Sequence, residues 1–200
     1  MTLINRPLRI IAIALFSSLL LFVYGCQQAN NVTEEPVTEP QEEVTEQQAS
    51  TATAVINSTT DPSAVLGEAE FTTTTDAMLI EVTMTNAPAG EHAFHIHESG
   101  SCADQGNAAG GHFNPDEVKH GLITEDGFEN AHAGDLGNIT IAEDGTGTKS
   151  LTVEKLMFTE GNYAIGNLSV ILHDKPDDFG QPTGNAGGRV GCGIIEVTDS

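Results

Sequence analysis

The chain has no tryptophan, two tyrosines and only seven lysines and arginines in 200 residues. Against the seven basic residues stand 29 acidic ones, a formal net charge of -22. A nucleic-acid partner needs a basic footprint, so that class is excluded. The same balance favours solubility and opposes nonspecific adsorption to anionic lipid. No internal repeat is visible, and no stretch carries convincing helical periodicity, so neither a repeat array nor a helical bundle fits. Glycine is abundant, with 21 residues, as a turn-rich β domain requires. The three cysteines, Cys26, Cys102 and Cys192, make an odd count that needs explaining in an exported protein.

Export is written at the N-terminus. Arg6 and Arg9 precede an apolar run, Ile10 to Val23, that is short for a membrane span and leads into Gly25 and Cys26. That is the form of a secretory signal peptide, residues 1–25. The ending Val23-Tyr24-Gly25-Cys26 resembles a bacterial lipobox, which implies a lipidated Cys26 as mature N-terminus and accounts for the odd cysteine. Gln27 in the next position points to the outer membrane. Residues 26–53 are rich in Glu, Gln and Thr, with six glutamates and no basic partner. Such a stretch buries too little apolar surface to offset chain entropy, and reads as a disordered tether.

From Ala54 onward the sequence alternates strand and turn. Ile80, Val82 and Met84 share one face of a strand over residues 78–85. Similar short runs, separated by Asp-Pro, Thr-Asp and Pro-Ala-Gly turns, predict about eight strands and an all-β barrel or sandwich. The long glycine-rich excursion over residues 98–134 breaks this rhythm. A loop of that length in a small domain needs something to hold it.

Histidine supplies the candidate. Six of the seven histidines lie between residues 92 and 132: His92, His95, His97, His112, His120 and His132. His95 and His97 are two apart on a strand, so both imidazoles face one side, opposite Phe94 and Ile96. His92 has the other parity and reads as a buried, hydrogen-bonding histidine. His112, His120, His132 and Asp135 form a donor set suited to tetrahedral zinc.

Several segments together resemble the copper-zinc superoxide dismutase family, in a bacterial, lipoprotein-type form. They are GEHAFHIHE at 90–98, GGHFNP at 110–115 followed by His120-Gly121, HAGDLGN at 132–138 and GNAGGRVGCGI at 184–194. The resemblance spans residues 54–197 and implies a Greek-key β-barrel or sandwich of antiparallel strands with long metal-binding loops. It implies copper ligands His95, His97, His112 and His173, and zinc ligands His112, His120, His132 and Asp135. His112 would then bridge both ions. It further implies an active-site Arg189, a Cys102–Cys192 disulfide, and Asp177, with Asp178 the competing candidate, hydrogen-bonded to ligands of both metals. The expected activity is disproportionation of superoxide to oxygen and hydrogen peroxide. The expected place is the cell envelope, facing the periplasm, with membrane attachment through lipid on Cys26. The alternative is a non-catalytic periplasmic copper- or zinc-binding protein of the same fold. Bacterial members include monomers and homodimers, and the sequence does not choose between them. Only Lys175 and Arg189 are basic after His173, so attraction of an anion has few cations to draw on.

Overall fold

The computed structural model describes residues 50–198; the expected signal peptide, Cys26 and the expected tether as far as residue 49 lie outside the described residues. Nine strands follow one another: β1 (Thr51–Ser58), β2 (Val65–Thr73), β3 (Ala77–Met84), β4 (Gly90–His97), β5 (Asp135–Ile141), β6 (Gly147–Glu154), β7 (Ser169–His173), β8 (Arg189–Ile194) and β9 (Glu196–Thr198).

All pair antiparallel, eight of them in the order β5-β4-β7-β8-β1-β2-β3-β6, with β9 paired to β1 off that path. The end strands β5 and β6 are sequence neighbours joined by the turn at 142–146, where Ala142 N donates to Thr146 O at 2.8 Å. That turn curls the sheet into a nearly closed barrel of Greek-key type. Lys149 Nζ crosses the seam from β6 to the carbonyl of Asn138 on β5, 2.9 Å away.

The core follows from strand parity. Ala52, Ala54 and Ile56 of β1, Ala69 and Phe71 of β2, and Met78, Ile80, Val82 and Met84 of β3 are buried, while the residues between them face outward or lie half-buried. On β4, Phe94 and Ile96 are fully buried in the same cluster. Each such aromatic or branched side chain contributes about 1.5–3 kcal/mol by leaving water. Because Phe94 and Ile96 point inward, His95 and His97 point out of the barrel. They are nevertheless buried, because the loops 98–134 and 174–188 cover them.

The structure departs from the sequence reading at several boundaries, among them the strand read over 78–85, which runs Ala77–Met84, and the last strand, which the sequence suggests as one run near 193–197. β1 starts at Thr51, not Ala54, because Ala52 continues its buried face and Thr51–Thr53 pair with β9. The last strand is interrupted at Ile195, whose amide turns to Leu168 O and whose carbonyl accepts from Asn167 N. The loop 98–134 carries a 3-10 turn at Asn107–Ala109 and a single α-helical turn, α1 (Ile123–Asp126). One turn is too short to show a helical period in sequence; it forms because Ile123 is buried and Asp126 Oδ2 accepts from Leu122 N.

Candidate metal centre

Strands deliver four of the seven metal-donor side chains: His95 and His97 from β4, Asp135 from the first position of β5, and His173 from the last of β7. His95 and Asp135 are direct cross-strand partners, so the two elements present their side chains at one level. The rest come from loops that need other anchors. Glycine makes one such anchor. At Gly134 an added Cβ would lie 2.2 Å from Ile96 O, and only its absence lets Ile96 N reach Gly134 O while Phe113 N reaches Ile96 O. His112 is thereby drawn into a bridge beside His97.

Two donor sets result, and they overlap. His95, His97, His112 and His173 each bring one nitrogen into a group spanning no more than 4.8 Å, and a second group of the same span is formed by one nitrogen each from His112, His120 and His132 with a carboxylate oxygen of Asp135. All seven residues are buried. In the first set His97 Nε2 and His173 Nε2 are 3.3 Å apart. His97 Nδ1 is occupied by Gly110 O at 3.0 Å, which leaves Nε2 as its free donor atom. His95 Nε2 hydrogen-bonds Asp177 Oδ2 at 2.8 Å, and its Nδ1 is buried without a partner. A buried, unpaired imidazole nitrogen is costly unless something binds it. In the second set, the Nδ1 atoms of His112, His120 and His132 converge on Asp135 at 2.8, 2.9 and 3.1 Å. Three imidazoles and a carboxylate this close suit a four-coordinate ion such as zinc, and imidazole suits copper as well.

Asp177 belongs to neither set directly. Its carboxylate joins the outer nitrogens of His95 and His120, at 2.8 and 2.9 Å, and so couples the two sets. Asp178 is exposed and bonds Gly180 N and Asn185 instead. His92 has the opposite parity and donates from Nδ1 to His173 O at 2.7 Å.

The electrostatics divide the centre. Burial pushes the pKa of His95 down to about 4 and that of His173 to about 3, and it depresses His97 further. Neutral imidazoles, the form that binds metal, are therefore held ready there. For His120 burial opposes charge, but the hydrogen bonds to Asp135 and Asp177 outweigh it and raise the pKa to about 9. Despite burial, the surrounding histidines hold Asp135 and Asp177 well below the usual carboxylate range.

A mouth of about 130 Å3 opens onto the first set, bordered by His97, His112, His173, Thr183 and Arg189. The Arg189 guanidinium is fixed by the carbonyls of Gly106 and Gly110, the latter 2.6 Å from Nη2. Cys102 and Cys192 are joined, with Cα atoms 5.7 Å apart, and this pins the loop bearing Gly106 to β8. Of the domain's other cations, Lys149 is bound to Asn138 and Lys155 lies 5.1 Å over the Phe128 ring, while Lys119 and Lys175 are exposed.

Two residues escaped the sequence reading. Asn138 clamps the backbone of Asp177, accepting from its N at 2.7 Å and donating to its O at 2.9 Å. Its place at the end of the 132–138 motif was the available signal. Gln181 bonds both backbone groups of His120, 61 residues away, and carried no signal.

A sequence model described as copper/zinc superoxide dismutase (SODC) matches residues 65–195. The extracellular superoxide dismutase [Cu-Zn] of Caenorhabditis elegans is 36% identical over 145 residues, covering 69% of this chain and 64% of that one, so the chain spans just under two thirds of that relative. Superoxide dismutase [Cu-Zn] 2 of Brassica juncea is 40% identical over 120 residues, 56% of this chain and 76% of its own. Among solved structures, the clock protein EA4 superposes with a TM-score of 0.65 at 33% identity, over 74% of this chain and 94% of that one. The family model and the donor geometry agree, and the chain belongs to the copper/zinc superoxide dismutase family, with copper and zinc as its ions.

Proposed function

We propose that the chain is a superoxide dismutase, converting two superoxide ions and two protons to oxygen and hydrogen peroxide. The observation that carries this reading is the double membership of His112, which stands in both donor sets. His95, His97, His112 and His173 would hold copper, and His112, His120, His132 and Asp135 would hold zinc. Copper supplies the chemistry that no side chain here can, by alternating between two oxidation states, whereas zinc has no redox role.

The chain's own groups do the rest. Asp135 sits on the Nδ1 side of His112, which leaves Nε2 for the copper side. His112 Nε2 is therefore the atom at which a proton can be held and handed to the reduced product. Asp177 keeps His95 and His120 in the tautomer that turns Nδ1 to the ions. Arg189, immobilised by two carbonyls, presents a planar cation to a small anion at the mouth. The mouth is small, about 130 Å3, and admits a diatomic anion beside Arg189.

The cellular part of the reading is carried by sequence. Lipid on Cys26 would tie the protein to the membrane, most simply the outer one, with the domain in the periplasm and removing superoxide in the envelope. The decisive measurement is copper and zinc content together with superoxide decay, for wild type and for His112→Ala and Arg189→Ala. Wild-type protein carrying both metals without dismutase activity would defeat the proposal and favour a metal-binding role.

A further inference from the structure

The loop between β7 and β8, residues 174–188, walls the mouth through Thr183, Ala186 and Gly187. The same loop grips the second donor set. Gln181 Oε1 accepts from His120 N at 3.1 Å, and Gln181 Nε2 donates to His120 O at 2.8 Å. A residue has one backbone donor and one backbone acceptor, so this amide satisfies both of them at His120. No strand holds His120, which lies in the loop 98–134 between Asn107–Ala109 and α1. Its ring is oriented by Asp177 and its backbone by Gln181. Three residues further along, Gly184 has φ +70°, and an added Cβ would meet Asp177 Oδ1 at 1.9 Å and His120 Nε2 at 2.8 Å. The loop thus closes on His120 along two separate contacts before it reaches the mouth.

We propose that Gln181 is a positioning residue that makes the placement of the mouth wall depend on zinc at the second donor set. The inference rests on the zinc reading of that set given above. An ion held by the His120 ring restrains His120, the amide clamp restrains Gln181, and Gln181 is two residues from Thr183. Linkage makes the effect reciprocal: what orders the loop raises zinc affinity, and what releases the loop lowers it by the same factor. The clamp touches the zinc side only, so copper affinity is its internal control.

The test uses the full chain, stripped of metal and reloaded with one ion at a time. Gln181→Met keeps the side-chain length and removes both bonds. Zinc affinity, by chelator competition, is expected to fall about tenfold, while copper(II) affinity stays within about twofold. In wild type, zinc alone slows amide hydrogen exchange at residues 183–188, and in Gln181→Met that protection is lost. Unchanged zinc affinity with retained protection would overturn the proposal, as would equal loss of affinity for both metals, which marks general destabilisation. Should Gln181→Met not fold, Gln181→Glu, which keeps the acceptor for His120 N and loses the donor to His120 O, takes its place with the same expected and overturning outcomes, and absence of zinc-dependent protection at 183–188 in wild type refutes the proposal. Wild type that binds no zinc at all would remove the zinc reading itself, a different result from a variant that binds it normally.

Discussion

His97 and Arg189 share one acceptor: Gly110 O takes a hydrogen bond from His97 Nδ1 at 3.0 Å and from Arg189 Nη2 at 2.6 Å. A donor of the first set and the cation at the mouth are therefore registered to one backbone atom. Arg189 also needs its second nitrogen for Gly106 O. Lysine has no fork and cannot span both carbonyls. Arg189→Lys is expected to lower the rate constant for superoxide decay about tenfold, and Arg189→Ala on the order of a hundredfold, with metal content unchanged. Pulse radiolysis with metal analysis on the same samples checks this; an Arg189→Lys enzyme at full rate would show that charge alone suffices.

Removing the disulfide should reach the same arginine indirectly. Cys102 O accepts from Gly106 N at 3.2 Å, and Gly106 O in turn holds Arg189. Cys102→Ser frees this loop from β8. Stability in denaturant should drop by about 2–5 kcal/mol. Activity should fall more than metal content does, because the arginine loses its anchors before the donor sets lose theirs.

Asp177→Asn leaves one oxygen to accept and adds a donor that faces an imidazole. Even with its oxygen in the place of Oδ2, which lies 2.8 Å from His95 Nε2 and 3.0 Å from His120 Nε2, it lacks the charge that strengthens both bonds. Zinc and copper should each bind more weakly, by about 10–100-fold together. Competition with graded chelators measures this, and Asp178→Asn, at an exposed position, is the control expected to change neither.

The pH dependence of the metal-free protein has two limbs. His120 has its pKa raised from 6.5 to about 9, so its stabilising contribution is complete below 6.5 and disappears as pH rises through 9. His95 and His173 are shifted the other way, to about 4 and 3, so their contribution is complete above 6.5 and is lost as pH falls toward those values. The melting temperature without metal should peak near neutrality and decline on both sides. Zinc must displace the proton on His120. Calorimetry in buffers of differing ionisation heat should therefore find about one proton released per zinc near pH 7.5, and none from His95 or His173 on copper binding.

Superoxide attraction should depend on salt only weakly. Lys149 and Lys155 are committed to Asn138 and Phe128, which leaves Arg189, Lys175 and Lys119 against an acidic surface. The rate should fall no more than a few-fold as ionic strength rises from about 10 to 150 mM, where screening shortens from about 30 to 8 Å. Lys175→Ala should flatten that slope, and Lys149→Met should leave it unchanged.

Much of this was legible in sequence because it is periodic. Parity on β4 separates His95 and His97 from Phe94 and Ile96 without any tertiary information, and the same parity assigns His92 to another partner. What was not legible is contact between loops. Nothing in a one-dimensional pattern joins Gln181 to His120, or Tyr163 to Asp116 and Phe128, since loop residues have no period and their partners lie tens of residues away. The break at Ile195 was hidden for the opposite reason: the apolar run is continuous, and only hydrogen bonding to residues 167 and 168 divides it.

The direction of β1 sets which end of the domain receives the residues that precede it. Its eight residues span about 23 Å. At the far end, Thr59 hydrogen-bonds Arg189 O and Val190 O, beside the mouth; at the near end, Ser50 is hydrogen-bonded to Thr73. Whatever precedes Ser50 is attached at the end of the strand remote from the arginine. On the proposal that lipid on Cys26 holds the protein, the residues before Ser50 are a leash joined to the strand end that carries none of the metal donors, and lengthening or shortening that leash should leave the rate of superoxide decay alone.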